Sequence, residues 1–258
     1  MIDYIISTSC GNDSVAMLQF FIENYKGSKI VAIYCNTGWS SQEWPDRVMK
    51  YKEKCEENGI DFFETQSEIG GMAEWSEKKS MFPMIKKKWC TEKLKIEPFL
   101  ALADKIDPEK KSTICIGVRR EESFNRKDFP EFSKDKSGRE KWAPLVAMKE
   151  SDRNDLIVRA GFEVLPHRSR ECAPCIHSSR KDLRLLSEFE IKRLEDLEKK
   201  MGGYFFNPSG RMGAEGIREV VQWSQCDKGQ YIKGAQFLSL RKKEIEEENA
   251  CSSGFCGG

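Results

Sequence analysis

The chain has 258 residues, 33% charged and 39% apolar, enough to bury a core as one large domain or a domain with a smaller appendage. Its 43 basic and 42 acidic residues leave a net charge of +1, which argues against a broad nucleic-acid-binding face but allows local patches such as Lys86, Lys87 and Lys88. No apolar run approaches the ~18 residues of a membrane span, and the N-terminus enters a strand pattern at once, so a cytoplasmic protein is expected.

In chain order, β-rich apolar runs occur at Tyr4–Ser7, Ile30–Cys35, Ile60–Thr65 and Thr113–Val118. Helical patterns lie between them at Ser14–Tyr25, Gln42–Asn58 and Thr91–Lys105. Strands alternating with helices of this length predict a parallel α/β sheet. Beyond residue 125 the pattern loosens, and "KDFPEFSKDKSGREKW" reads as a mobile loop pinned by Phe129, Phe132 and Trp142. Ser179–Lys200 is a charged helix whose Leu183, Leu186, Ile191, Leu194 and Leu197 form a core-facing stripe. "FFNPSG" breaks the chain at 205–210, and two shorter helical patterns precede the tail "CSSGFCGG".

The first strand stops at "STSCGNDS" before an amphipathic run. An ordinary turn with an N-cap at Asp13 or Ser14 is one reading. An anion site at a helix N-terminus is the other. Neither a Walker A loop nor G-x-G-x-x-G is present. Ser9-Cys10-Gly11-Asn12-Asp13-Ser14 resembles the Ser-Gly-Gly-x-Asp-Ser signature of the PP-loop ATP-pyrophosphatases. Cys10 stands for the first glycine, and Asn12 stands where sulfonucleotide relatives often carry lysine.

Further segments extend the resemblance toward the phosphoadenosine phosphosulfate reductase-like branch, which includes DNA and tRNA sulfur-modification enzymes. "YCNTGWSSQEW" is similar to its Thr-Gly segment, "WCTEKLKIEPF" to its Cys-x-x-x-Leu-Lys-x-x-Pro element, and "GVRREESFNR" to its Gly-x-Arg-x-x-Glu-Ser element. The segment 143–166 then leads, as in relatives, to Cys172-Ala-Pro-Cys175. The resemblance implies a Rossmann-like sheet of about five strands with helices on both faces, of the adenine nucleotide alpha-hydrolase type. Residues 1–165 would be the nucleotide domain and 166–258 a smaller helical, cysteine-bearing part. It implies nucleotide binding by Ser7, Ser9, Gly11, Asn12, Asp13, Ser14, Asn36, Thr37, Gly38, Gly117, Arg119, Arg120, Glu122 and Arg126, since guanidinium groups suit phosphate and sulfate.

Ten cysteines in a chain expected to be cytoplasmic suggest thiol or metal chemistry rather than a disulfide framework. Three readings of Cys172 and Cys175 stay open: a redox disulfide (which 251/256 could also form), a structural zinc, or a [4Fe–4S] cluster. The resemblance favours the cluster, with Cys90, Cys172, Cys175 and one of Cys251 or Cys256 as ligands. His167 and His177 flank the pair as lesser candidates for a ligand or a phosphate neighbour. Cys35, Cys55, Cys115 and Cys226 read as packing residues; Cys10 reads as a small replacement for glycine before it reads as a nucleophile.

Two chemistries follow from the resemblance. In one, magnesium-bound ATP adenylates an acceptor oxygen, with Asp13 and Arg119 catalytic, and sulfur displaces AMP. In the other, Cys251 or Cys256 attacks the sulfur of an adenylyl sulfate-type nucleotide, and a thiol donor releases sulfite. A cysteine desulfurase or a thioredoxin-like protein would be the partner. A nucleic-acid acceptor and a homodimer are compatible with the resemblance, though net charge does not indicate the former. A third reading is a nucleotide-binding subunit without catalysis.

Overall fold

A computed structural model describes residues 1–135, 137–208 and 213–225, and the backbone of 230–232 and 236–238. Its centre is a six-stranded sheet in the order β3-β2-β1-β4-β6-β5. Five strands are parallel: β1 (Tyr4–Thr8), β2 (Ile30–Cys35), β3 (Asp61–Thr65), β4 (Thr113–Ile116) and β6 (Glu140–Trp142). The edge strand β5 (Phe132–Lys134) runs antiparallel to β6. The expected mobile loop is therefore a short hairpin, and Phe132 stacks on Trp142 at 5.9 Å.

All of β2 is buried, as a central parallel strand covered on both faces must be. Ile6, Ala32, Tyr34 and Cys115 face a core shared with α1 (Asn12–Asn24), α2 (Trp44–Glu57) and α6 (Glu150–Arg159). Ile5, Val31, Ile33, Cys35, Ile114 and Ile116 face α5 (Glu97–Ile106) through Phe99 and Ala103. The predicted helix 91–105 begins earlier, as α4 (Trp89–Thr91), and runs through a π-helical stretch Glu92–Ile96 into α5.

A second core lies beyond the sheet. Trp39, Met72, Trp75 and Trp89 meet Leu183, Ile191, Leu194 and Trp223 there. It joins α3 (Met72–Lys79) to α7 (Arg180–Arg184), α8 (Glu188–Met201) and α9 (Gly216–Ser224). The single helix expected over 179–200 is two, because Ser187 caps a new start: its hydroxyl accepts from the Glu190 amide while the Glu190 carboxylate accepts from the Ser187 amide. Leu183, Ile191, Leu194 and Leu197 are nevertheless buried, as their spacing predicts. The strands β7 (Gln230–Ile232) and β8 (Gln236–Leu238) pair with each other. Cys226, Cys251 and Cys256 lie outside the described residues.

Candidate active site

Strands β2 and β3 lie on one side of β1, and β4 and β6 on the other. In such sheets the crevice at the reversal, beyond the carboxyl ends of the strands, takes ligands. The Ser9–Ser14 loop leaves β1 there. The Ser9 amide donates to Ser14 Oγ at 3.1 Å, and the Gly11 amide to Ser9 Oγ at 3.4 Å. Arg47 Nε donates to the Cys10 carbonyl at 2.8 Å. Ser9, Gly11 and Ser14 thus form one preorganised turn at the α1 N-terminus, while Ser7 sits back in β1, level with Ile33 and Ile116.

Cys10 has φ of 58°, a conformation favouring glycine, at the position where the PP-loop resemblance places a glycine. Its thiol is fully buried, and burial pushes its pKa well up. Burial of this kind disfavours the thiolate that a nucleophile requires, and the enclosed side chain is in keeping with Cys10 as a packing residue.

Asp13, in the first turn of α1, is buried and accepts two guanidinium groups on Oδ1: Arg119 Nε at 2.9 Å and Arg153 Nη1 at 3.3 Å. Both arginines are themselves buried. Arg119 also reaches Glu121 at 3.1 Å and Arg153 reaches Glu150 at 3.0 Å, but those carboxylates are more than half exposed. Asp13 Oδ2 is buried without a hydrogen-bond partner among the described residues. The loop after β4 comes in close: a Cβ on Gly117 would lie 3.4 Å from the Asp13 carbonyl carbon. Arg153, on α6, escaped the sequence reading; its acid-flanked helix start "KESDRND" was the available signal.

Several expected binding residues are engaged elsewhere. Asn12 clasps the chain at Leu165, donating to its carbonyl at 2.9 Å and accepting from its amide at 3.0 Å. Arg120 is exposed and donates to the Phe129 carbonyl at 3.0 Å. Glu122 and Arg126 form an ion pair with each other. Asn36 donates to Glu64 at 2.8 Å and accepts the Gly38 amide at 2.8 Å. Thr37 donates to the Glu171 carbonyl at 2.8 Å, tying the β2 loop to the Cys172–Cys175 segment. Gly38 has φ of +62°, and a Cβ on the facing Gly71 would lie 2.6 Å from the Thr37 carbonyl, so neither position accepts a side chain.

Cys90, Cys172 and Cys175 line one small cavity with Met72, Lys95 and the buried His177. The His177 amide donates to Cys175 Sγ at 3.5 Å, and Cys172 Sγ lies 3.7 Å from Thr37 Oγ1. Lys95 and Glu171 form a buried ion pair of 2.7 Å beside them. Burial raises the Glu171 pKa and Lys95 opposes the rise; burial likewise pushes Cys172 up, and Lys95 again opposes it. Among the described residues, no three His, Cys, Asp or Glu side chains converge so as to hold a single metal ion. His167 does not line this cavity; its Nδ1 lies 2.8 Å from the Arg168 carbonyl.

A family model described as the phosphoadenosine phosphosulfate reductase domain matches residues 3–173. None of the curated proteins matches the chain. Among solved structures, phosphoadenylyl-sulfate (PAPS) reductase from Candida auris, in a phosphate complex, is 15% identical with a TM-score of 0.45 over 64% of this chain and 75% of that one. NMN synthetase from Francisella tularensis is 14% identical with a TM-score of 0.45 over 86% and 84%. On the match over residues 3–173, the larger part of its 258, the chain belongs to the phosphoadenosine phosphosulfate reductase domain family.

Proposed function

We propose that this chain is an adenine-nucleotide-dependent enzyme of sulfur metabolism that adenylates an acceptor for sulfur transfer. The observation that carries this is the buried group of Asp13, Arg119 and Arg153 at the sheet's reversal point: two guanidinium cations share one carboxylate beside a helix N-terminus. Such a cluster holds a surplus of buried positive charge, which a phosphate chain compensates better than the exposed Glu121 and Glu150 do. The amides of Asn12, Asp13 and Ser14 open the first turn of α1, where helix geometry offers amides to an anion, so the phosphates of ATP would lie over the loop, with Asn36–Gly38 toward the adenosine end.

In this reading the acceptor oxygen attacks the α-phosphorus, the bond to the β-phosphate breaks, and pyrophosphate leaves. Arg119 and Arg153 stabilise the charge that develops on the departing oxygens. Asp13 Oδ1 orients both arginines, and its Oδ2, without a partner among the described residues, would be the oxygen available to the magnesium that accompanies the nucleotide. A sulfur nucleophile then attacks the acceptor carbon as its C–O bond breaks and AMP departs.

The thiol cavity fits a cluster in donor type: three cysteines, with a backbone amide aimed at one sulfur. Cys90, Cys172 and Cys175 would hold a [4Fe–4S] cluster, which when bound supplies a site for the sulfur to be delivered. A thiol of Cys251 or Cys256 would complete the set; a single zinc ion, the alternative, would require Cys90, Cys172 and Cys175 to converge more closely than they do here. The family match favours a second reading, reduction of adenylyl sulfate or its 3′-phosphate by a tail thiolate that displaces the adenosine phosphate, with a thioredoxin-like thiol then releasing sulfite.

The test is to incubate anaerobically purified protein separately with ATP and with the two adenylyl sulfates. Total nucleic acid, a small-molecule extract and a dithiol are supplied. AMP and pyrophosphate from ATP support the adenylation reading; sulfite supports the second. Neither product, with nucleotide still bound, leaves a binding subunit and overturns both.

A further inference from the structure

Residues 78–91, "KKSMFPMIKKKWCT", hold five lysines and no acidic residue in a chain of near-zero net charge. Lys78 and Lys79 end α3. The chain then turns back on itself in a stub hairpin: the Met84 and Lys87 amides exchange bonds with each other's carbonyls at 3.3 and 2.9 Å. Met84, Ile85, Lys86 and Lys87 stand exposed at its tip. Two residues later the chain reaches Trp89 and Cys90.

None of these five lysines meets a carboxylate among the described residues, whereas Lys29, Lys52, Lys93, Lys110, Lys134, Lys192 and Lys200 each do. The ammonium groups of Lys78, Lys79 and Lys93 also crowd one indole, at 5.4, 5.4 and 5.8 Å from the Trp75 ring centre. Trp75 in turn lies 6.4 Å from Trp89. Met72, on the same helix as Lys78, lines the cysteine cavity. Like charges held together on a surface repel one another, and the arrangement relaxes when a polyanion neutralises them.

We propose that this lysine face, formed by the end of α3 and the 84–87 hairpin, docks the phosphodiester backbone of a nucleic acid. The docked strand is thereby brought beside the Cys90 end of the thiol cavity. The inference rests on the sulfur-transfer reading above and names its acceptor class. A local patch of five lysines suffices for backbone contact although the whole chain is nearly neutral, because screening confines the field to about 10 Å at 0.1 M salt. The exposed Met84 and Ile85 between the lysines offer apolar contact to an unstacked base.

The test is fluorescence anisotropy of the full chain with labelled single-stranded RNA, an RNA hairpin and duplex DNA of equal length. The three probes distinguish which backbone is preferred. Binding should weaken steeply with salt, and the K86Q/K87Q double variant should bind at least 10-fold more weakly at 100 mM salt. Its plot of log affinity against log salt should flatten by about 2, roughly 1 for each phosphate contact removed. K86R/K87R should retain binding, and K78Q/K79Q repeats the test without altering the hairpin. No binding of any probe at 50 mM salt would overturn the proposal, as would binding that both glutamine variants leave unchanged. Preferential binding of poly-glutamate would overturn it too, pointing to an acidic protein instead. ATP binding, measured calorimetrically on the same samples, separates the two readings. Lysine-dependent nucleic-acid binding without ATP binding sinks the function and keeps the surface; ATP turnover without nucleic-acid binding does the reverse.

Discussion

Replacing Asp13 by asparagine removes the one buried carboxylate that two buried guanidinium groups share. Breaking a buried ion pair by deleting one partner costs about 3–5 kcal/mol where the surviving charge has nothing else. Here Arg119 keeps Glu121 at 3.1 Å and Arg153 keeps Glu150 at 3.0 Å, and the asparagine oxygen still accepts one hydrogen bond. The expected loss is therefore about 2–3 kcal/mol. With a urea slope of about 3 kcal/mol/M, the unfolding midpoint should fall by roughly 0.7–1 M. The variant also carries more uncompensated positive charge, so pyrophosphate should raise its midpoint further than it raises that of the parent protein. A midpoint shift below about 0.2 M in urea would refute the reasoning, and so would equal stabilisation of both proteins by pyrophosphate.

Arg153→Met leaves the Asp13–Arg119 pair intact, so it should weaken ATP binding at least about 10-fold, roughly the 1.4 kcal/mol of one lost charge-assisted contact. Adenosine binding, measured by the same calorimetry, should not change. At Cys10, valine should cost about 2–3 kcal/mol, because a β-branched side chain is strained at φ of 58°. Glycine should stay within about 1 kcal/mol, relief of strain offsetting the lost buried side chain; thermal unfolding reads both. Hydrogen bonds from Arg159, and then from Gln19, hold the Glu23 carboxyl down to about 2 from an ordinary 4.5. A depressed carboxylate stabilises above its unfolded pKa and loses that contribution as pH falls from about 4.5 toward 2. The stability gap between the parent and Glu23→Gln should accordingly close over that window in acid-titrated unfolding. It should be under about 1 kcal/mol at neutral pH, since the pair is open to water.

The central strands were legible because their apolar runs are continuous and bounded by turns: Ile30–Cys35 forms β2 to the residue, and Thr113–Ile116 forms β4. The hairpin β5–β6 was not, because three-residue strands as polar as Phe132–Lys134 and Glu140–Trp142 carry no period and are fixed by their partner across the ladder. Helix α6 was missed for a similar reason, its apolar face amounting to little beyond Leu156 and Ile157. The break between α7 and α8 was readable from Ser187 and Glu190, a capping box lying inside an otherwise periodic stretch. In the site, motif spacing indicated Asp13 and Arg119, which the fold brings to 2.9 Å. Spacing could not indicate Arg153, 140 residues from Asp13, nor that Asn12 and Thr37 would be occupied in pinning Leu165 and Glu171.

The central claim is that nucleotide phosphates lie at the reversal of the sheet, between the α1 N-terminus and Arg119 and Arg153. A crystal structure with a non-hydrolysable ATP analogue tests it most directly. The account predicts phosphate oxygens within hydrogen-bonding distance of the Gly11–Ser14 amides and of at least one of the two arginines, with Glu121 or Glu150 displaced from its present partner. A nucleotide bound elsewhere, with the Asp13–Arg119–Arg153 group unchanged, would contradict it.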